Sequence, residues 1–128
     1  MIYLDTSVAL AHLLSEDRRP PDSLWEQVLV SSRLLEYELW NRLHARGHGK
    51  SHGDQARELL QRLAVLEMVP AVLSRALEPF RTPVRTLDSL HLASIEFLRS
   101  QQQQVELATY DIQMSKAARS LGIGLVSL

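Results

Sequence analysis

The chain has 128 residues, which is enough for one domain with a real core and too few for two. Hydrophobic residues make up 45% and charged residues 23%, the balance of a globular protein and not of a disordered one. A formal net charge of −1 argues against a protein that holds nucleic acid mainly by a blanket of positive charge. The chain has no cysteine, no secretory signal pattern and no apolar run of membrane-spanning length. We therefore expect a single cytoplasmic domain over residues 1–128, without a membrane contact.

Short apolar runs alternate with amphipathic segments from one end of the chain to the other. The strands are predicted at 1–4 (MIYL), 28–32 (VLVSS), 105–110 (VELATY) and 123–128 (IGLVSL), with a brief extended piece at 67–70 (EMVP). The helices are predicted at 8–14, 22–29, 33–46, 54–66, 71–77, 86–98 and 112–121. Ser32 and Asp111 are expected to cap two of these helices, and Gly47 and Gly122 to end them. The alternation predicts an α/β fold with a mostly parallel sheet.

The stretch TLDSLHLASIEFL, residues 86–98, has apolar side chains on nearly every face and is typical of a buried helix. Asp88 and His91 lie one turn apart near its start. With Thr86 as N-cap, Asp88 would fall in the first turn, where an anion meets the positive end of the helix dipole. His91 is expected to be a neutral core residue with one hydrogen bond, or to steer Asp88 or touch a phosphate.

Other acids occupy comparable positions in separate segments. Asp5 directly follows the first strand, Asp111 follows VELATY, and Glu36 and Glu38 lie early in the helix after VLVSS. Because the carboxyl ends of parallel strands meet at one edge of a sheet, four segments each deliver an acid to that edge. Clustered carboxylates repel one another unless a cation lies between them, and Mg²⁺ and Mn²⁺ favour oxygen ligands. An all-carboxylate cluster indicates phosphodiester hydrolysis by a metal-activated water.

Three segments carry a family resemblance: IYLDTSVALAHL, RTLDSLHLASIEFL and LATYDIQMSKAARSLGIGLV. In order and over essentially the whole chain, they resemble the signature segments of PIN-domain proteins and, more narrowly, of the VapC toxins of bacterial toxin–antitoxin pairs. The resemblance implies a three-layer α/β/α fold and a ribonuclease that depends on Mg²⁺ or Mn²⁺. It also implies a homodimer that is inhibited by a cognate antitoxin.

The resemblance also assigns roles to individual residues. Asp5 and Asp88 match the principal metal ligands, and Asp111 matches the fourth acid, which acts through water. The supporting hydroxyls are Thr6 or Ser7, which would orient Asp5, and Thr109, which would support Asp111.

The second acid of the site has two candidates. The family's second motif, a serine followed six positions later by glutamate, fits Ser32 and Glu38. Helical geometry instead places Glu36 closer to the apolar side of its helix, and leaves Glu38 as a possible surface ion pair with Arg42 at i, i+4 spacing. The motif favours Glu38, and Glu36 stays open.

Candidate RNA contacts come from two places. Arg85, just ahead of Asp88, could engage a substrate phosphate. The segment NRLHARGHGKSHGD supplies a possible positive patch for an RNA backbone, made of Arg42, Arg46 and Lys50. Its three histidines, His44, His48 and His52, have a spacing that would suit a metal only in an unbroken helix, and Gly47, Gly49 and Gly53 argue against one.

Two other functions remain as alternatives. One is a catalytically silent PIN fold that binds RNA or protein. The weaker one is a receiver-type phosphoacceptor domain, which would need a second acid beside the first strand and a suitably placed lysine.

The acidic edge also predicts how an antitoxin would act. An arginine of the antitoxin would reach Asp5 and Asp88, and an apolar anchor would pack around Trp25, Tyr37 or Trp40.

Overall fold

The computed structural model describes residues 1–128 and is built on one sheet of five parallel strands. The strand order is β3-β2-β1-β4-β5, so the first strand of the chain is the central one. The strands are β1 (Ile2–Leu4), β2 (Leu29–Ser32), β3 (Ala64–Leu66), β4 (Glu106–Ala108) and β5 (Gly124–Leu125). The predicted α/β class with a parallel sheet is confirmed.

Six α-helices and one short 3₁₀ helix (Asp22–Glu26) flank the sheet. Helices α1 to α3 pack on one face, α5 and α6 pack on the other, and α4 packs on α5. None of the helices is long and apolar enough to cross a membrane. The helices are α1 (Thr6–Leu13), α2 (Arg33–Ala45), α3 (Gly49–Gln61), α4 (Pro70–Ala76), α5 (Thr86–Ser100) and α6 (Ile112–Ser120).

The central strand contributes to both halves of the core. Because side chains alternate across a strand, Ile2 and Leu4 join the cluster under α1 to α3, while Tyr3 joins the cluster under α5 and α6. Burial on both faces explains why the strand reads as a continuous apolar run. Asp5, the next residue, therefore leaves the sheet at the centre of its carboxyl edge.

The predicted helix ends are confirmed at four positions. The Ser32 side chain accepts a backbone hydrogen bond at the start of α2, and Asp111 accepts two at the start of α6. Gly47 (φ 73°) and Gly122 (φ 72°) follow the last turns of the same two helices in the left-handed conformation that glycine adopts without strain.

The segment 49–66 was predicted wrongly in its boundaries. Helix α3 begins at Gly49 and ends at Gln61, and the third strand is Ala64–Leu66, not the 67–70 piece. Pairing of this strand with β2 outweighs the local helical pattern of residues 62–66. Gly49 and Gly53 do not break the helix, since Gly53 is buried within it against the ring of Trp40.

Two other helices also differ from the prediction. The helix expected at 22–29 is only the 3₁₀ turn Asp22–Glu26. Arg85, in an extended conformation, is the N-cap of α5, so Thr86 is the first helical residue. Asp88 remains in the first turn, as expected.

Candidate active site

The chain changes direction at the carboxyl edge of β1 and β4. From β1 it passes through α1 toward β2 on one side, and from β4 through α6 toward β5 on the other. Such a switch point leaves a crevice beyond the strand ends. Here the crevice is a cavity of about 380 Å³, which we call the acidic cavity. It is lined by Asp5, Thr6, Ser7, Leu10, Glu38, Arg42, Arg85, Thr86, Leu87, Asp88 and Asp111.

Asp5 is held by two hydroxyl groups that bind the same oxygen. Ser7 Oγ donates to Asp5 Oδ2 at 2.8 Å, and Thr109 Oγ1 donates to it at 2.7 Å. The carboxylate is 5% exposed, and its Oδ1 accepts no hydrogen bond. Thr109 also accepts from the Asp111 backbone N–H at 3.0 Å, so one side chain ties the ends of β1 and β4 together.

The structure separates the two candidate glutamates. Glu38 lines the acidic cavity, and its Oε1 accepts a hydrogen bond from Thr6 Oγ1 at 2.9 Å while Oε2 has no partner. Glu36 lies outside the cavity in an ion pair with Arg33. The expectation that Glu36 faces the core more closely is wrong, because the Glu38 side chain is 13% exposed and that of Glu36 is 39% exposed. Thr6 therefore supports Glu38, and Ser7 alone of the pair contacts Asp5.

A buried hydrogen-bond chain fixes Glu38 from behind. The Tyr3 hydroxyl lies 2.7 Å from His91 Nδ1, and His91 Nε2 lies 2.5 Å from Glu38 Oε1. His91 is fully buried, as expected of a core residue, but it makes two hydrogen bonds and contacts Glu38 instead of Asp88. Sequence reasoning missed Tyr3, although the alternation along β1 places it on the α5 side of the sheet.

The charges of this chain are coupled. Burial disfavours the imidazolium of His91, but the Tyr3 hydroxyl and the Glu38 carboxylate outweigh burial and raise the pKa of His91 to about 10. Burial likewise favours neutral Glu38, yet the hydrogen bonds from His91 and Thr6 and the charge of Arg42 keep the pKa of Glu38 below its usual value. Both directions describe a buried ion pair, and the neutral His91 expected from sequence is not what the geometry favours.

Asp88 and Asp111 are bridged by an arginine. Arg85 Nη2 donates to Asp111 Oδ2 at 2.7 Å, and Arg85 Nε donates to Asp88 Oδ2 at 3.3 Å. Burial raises the pKa of the Asp88 carboxyl; Arg85 opposes this shift, and the charges of Asp111 and Asp5 add to it. The predicted repulsion among the acids is therefore present, and Arg85 relieves part of it.

The predicted basic patch is not one surface. Arg42 lines the acidic cavity, whereas Arg46 lies 3.8 Å from Glu16. Lys50 lines a separate shallow cavity beside Trp40. The chain turns between α2 and α3 at Gly47, so residues 42, 46 and 50 do not lie along one helix face.

The histidines of this segment contact other aromatic rings. His44 stacks on Trp40, and the ring centres of His48 and His52 lie 4.7 Å apart.

The acidic cavity offers the type of oxygen atom that a hard divalent cation binds, but not yet the spacing. Asp5 Oδ1, Glu38 Oε2 and Asp88 Oδ1 accept no hydrogen bond, while both oxygens of Asp111 are engaged by α6 and Arg85. Mg²⁺ and Mn²⁺ take such carboxylate oxygens and keep several waters. No three of the acids lie close enough to hold a metal between them as they stand, and Arg85 occupies the space between two of them.

The parallel α/β fold and the carboxylates at its switch point place the chain among proteins with an acidic site that is suited to a metal ion. Comparison with known families then assigns the chain: the PIN domain model matches residues 2–120. The chain belongs to the PIN domain family, whose members are typically nucleases that use divalent metals.

A solved structure supports the fold over nearly the whole chain. A protein described as a toxin-antitoxin complex from Klebsiella pneumoniae aligns with a TM-score of 0.70 at 17% sequence identity. The alignment covers 99% of this chain and 97% of that one. At this identity the similarity establishes the shared fold alone. No curated protein sequence matches the chain.

Proposed function

We propose that the chain is an endoribonuclease that hydrolyses RNA phosphodiester bonds with a divalent metal. One observation carries the proposal. Four separate segments bring Asp5, Glu38, Asp88 and Asp111 to one cavity, and three of these acids keep a carboxylate oxygen without a hydrogen bond. These free oxygens are not among the buried unpaired atoms of the chain, so they are open to the cavity and available to a cation.

Each acid has a distinct part in the proposed site. Asp5, Asp88 and Glu38 would hold the ion directly, and Asp111, whose oxygens already accept hydrogen bonds, would act through water. A bound Mg²⁺ or Mn²⁺ activates water and stabilises charge on a phosphoryl oxygen. Ser7 and Thr109 hold the Asp5 carboxylate in one orientation through its Oδ2 atom. Because the side chain is already fixed, Asp5 would lose little conformational freedom when its other oxygen binds a metal ion.

Arg85 would serve the substrate. The Arg85 side chain is 75% exposed, and the residue lies at the N-cap of α5, outside the helix proper. Its guanidinium can therefore leave the two carboxylates without disturbing the packing of the core. A cation bound by the acids would take over their neutralisation, and Arg85 would then be free to engage a phosphate with two hydrogen bonds. Arg42, which also lines the acidic cavity, supplies a second positive charge.

We further propose that the protein is a VapC-like toxin, a homodimer that is silenced by a cognate antitoxin. The toxin-antitoxin description of the similar structure supports this biological setting. The bridge made by Arg85 shows how a guanidinium fits between Asp88 and Asp111, which supports an antitoxin arginine as the inhibitory group. Tyr37, which is 68% exposed, is the most accessible of the three aromatic anchors considered from sequence.

Expression of the chain alone in a bacterial host, followed by mapping of newly created RNA 5′ ends, tests the activity. Recurrent new ends that vanish with Asp5→Asn and persist with Glu36→Gln are the expected result. An identical pattern of RNA ends for wild type and Asp5→Asn would contradict the proposal.

The antitoxin proposal has its own test. The product of the neighbouring gene is co-purified with the chain, and its arginines are replaced one at a time by alanine. One replacement should restore RNA cleavage in an intact complex. Inhibition that survives every replacement would show that the antitoxin blocks RNA access or the dimer instead.

A further inference from the structure

A second cavity lies at the other end of α1. It has a volume of about 260 Å³, and we call it the arginine pocket, because two guanidinium groups line its wall. Helix α1 has eight residues, so its two ends are about 12 Å apart at 1.5 Å per residue. The lining of the pocket includes His12, Ser15, Arg19, Trp25 and Arg62.

The two arginines of this pocket have no counter-ion. Neither Arg19 nor Arg62 forms an ion pair, whereas seven other ion pairs of the chain use Arg33, Arg46, Arg57, Arg75 and Arg85. Glu58 lines the same pocket without reaching either guanidinium. Two guanidinium groups without an ion-pair partner are available to an anion, and a planar guanidinium is a strong hydrogen-bond donor to phosphate.

The pKa of His12 is lowered by burial and by the same two arginines. Its imidazole is packed beside the ring of Trp25, with 4.5 Å between ring centres. Burial lowers the pKa of His12, the charges of Arg19 and Arg62 lower it further, and Asp22 opposes them. His12 is therefore kept neutral and can donate one hydrogen bond without adding repulsion between cations.

Ser15, in the lining of the arginine pocket, has a backbone conformation that is uncommon for a residue other than glycine. Ser15 follows the end of α1 with φ 49°, a left-handed conformation that favours glycine at this position of a helix end. Serine keeps the strain that glycine would remove, and it brings a hydroxyl to the wall of the pocket. Non-glycine residues held in this region concentrate at functional sites.

Helix α2 carries two arginines near the two cavities. Arg42 lines the acidic cavity, and Arg46, one turn further along α2, lies 3.8 Å from Glu16. Glu16 directly follows Ser15, which lines the arginine pocket. Arg46 is paired with Glu16, whereas Arg42 forms no ion pair, so Arg42 is the positive charge of α2 that is available to an RNA strand leaving the acidic cavity.

We propose that the arginine pocket is a second phosphate-binding subsite for a single RNA strand whose scissile bond lies in the acidic cavity. Arg19 and Arg62 bind one phosphodiester, and the exposed part of Trp25 offers a face on which a neighbouring base stacks. The inference rests on the proposed ribonuclease function. RNA is favoured over an acidic protein segment because the pocket combines two guanidinium groups with the ring of Trp25, a combination that binds a phosphate and a neighbouring base.

The test is the salt dependence of RNA binding. A fluorescein-labelled single-stranded oligouridylate is titrated with protein in EDTA at several salt concentrations, so that binding is measured whether or not the chain cleaves RNA. Each phosphate contact on a single strand contributes about 0.7 to the slope of log K against log salt. Because Arg19 and Arg62 share one phosphodiester, Arg19→Ala/Arg62→Ala should reduce the slope by about 0.7. The control, Lys116→Ala/Arg119→Ala, removes the same charge from exposed positions on α6, across the sheet, and should leave the slope nearly unchanged.

Direct occupancy is read from the imidazole resonances of His12, assigned with His12→Gln. Oligouridylate and inorganic phosphate should shift these resonances, and the double arginine variant should abolish both shifts. Equal slopes for the two double variants would overturn the subsite, as would resonances that move with oligoglutamate and not with oligouridylate. A chain that fails to cleave RNA but shows the slope change would instead refute the proposed nuclease and keep the pocket.

Discussion

The hydroxyl of Tyr3 is predicted to stabilise the fold through a single buried contact. Tyr3 is 0% exposed, and its only side-chain hydrogen bond is the one to His91 Nδ1. Tyr3→Phe keeps the ring and its packing but leaves Nδ1 buried without a partner, since Glu38 already occupies the other ring nitrogen. Neither tautomer of His91 nor its protonated form can satisfy both nitrogens in this variant.

The magnitude follows from the desolvation of one polar atom. A buried group left without its hydrogen bond costs about 1–3 kcal/mol. The unfolding entropy near 60 °C is about 2.1 cal/mol/K per residue, so over this chain each kcal/mol lowers Tm by about 4 °C. Tyr3→Phe should therefore lower Tm by about 4–11 °C.

Thermal unfolding followed by circular dichroism measures this change, with Tyr37→Phe as the matched control. Tyr37 is 68% exposed and has no side-chain hydrogen bond, so its loss should change stability by at most about 0.5 kcal/mol. Equal Tm values for the two variants would refute the role assigned to the buried chain from Tyr3 to Glu38.

Three further predictions concern the acidic cavity. Glu38→Gln should reduce RNA cleavage far more than Glu36→Gln, and the reverse ranking in purified, folded variants would assign the site to Glu36. Arg85→Ala should tighten Mn²⁺ binding measured by calorimetry, because it removes a cation from two carboxylates. The control Arg81→Ala should leave the affinity unchanged, and weaker binding by Arg85→Ala would mean that Arg85 organises the acids. Thr109→Val should lower metal affinity or cleavage by about 10–100-fold through the loss of a hydrogen bond to Asp5, and wild-type values would contradict that support.

The sequence was sufficient for the parts of the fold that local chemistry determines. The short apolar runs MIYL and VELATY contain the strands β1 and β4, and Ser32 and Asp111 cap helices by their own side chains. The strand Ala64–Leu66 was missed because it is short and continues a helical pattern. Its extended form depends on pairing with β2, a contact that is remote in sequence.

The same distinction applies to the site. Asp5 and Asp111 could be placed from the strands that precede them, and Glu38 from a motif. The bond from Ser7 to Asp5 was expected, since the two residues are close in sequence. The bonds that join distant segments could not be predicted: Thr109 to Asp5 across 104 positions, and Tyr3 to His91 across 88. The bridge formed by Arg85 was missed for the same reason, although the residue itself was singled out.

The central claim is that the acidic cavity cleaves RNA when it holds a divalent metal. The most direct measurement is cleavage of a 5′-labelled cellular RNA pool by the purified protein with Mn²⁺, compared with EDTA and with Asp88→Asn. Since burial and two neighbouring acids disfavour the charge of Asp88, its amide should fold at least as stably as the wild type, which circular dichroism verifies. The account predicts discrete products from the wild type with Mn²⁺ and none from the EDTA or Asp88→Asn reactions. Cleavage of equal extent by folded Asp88→Asn, or no cleavage by the wild type with Mn²⁺ or Mg²⁺, would contradict it.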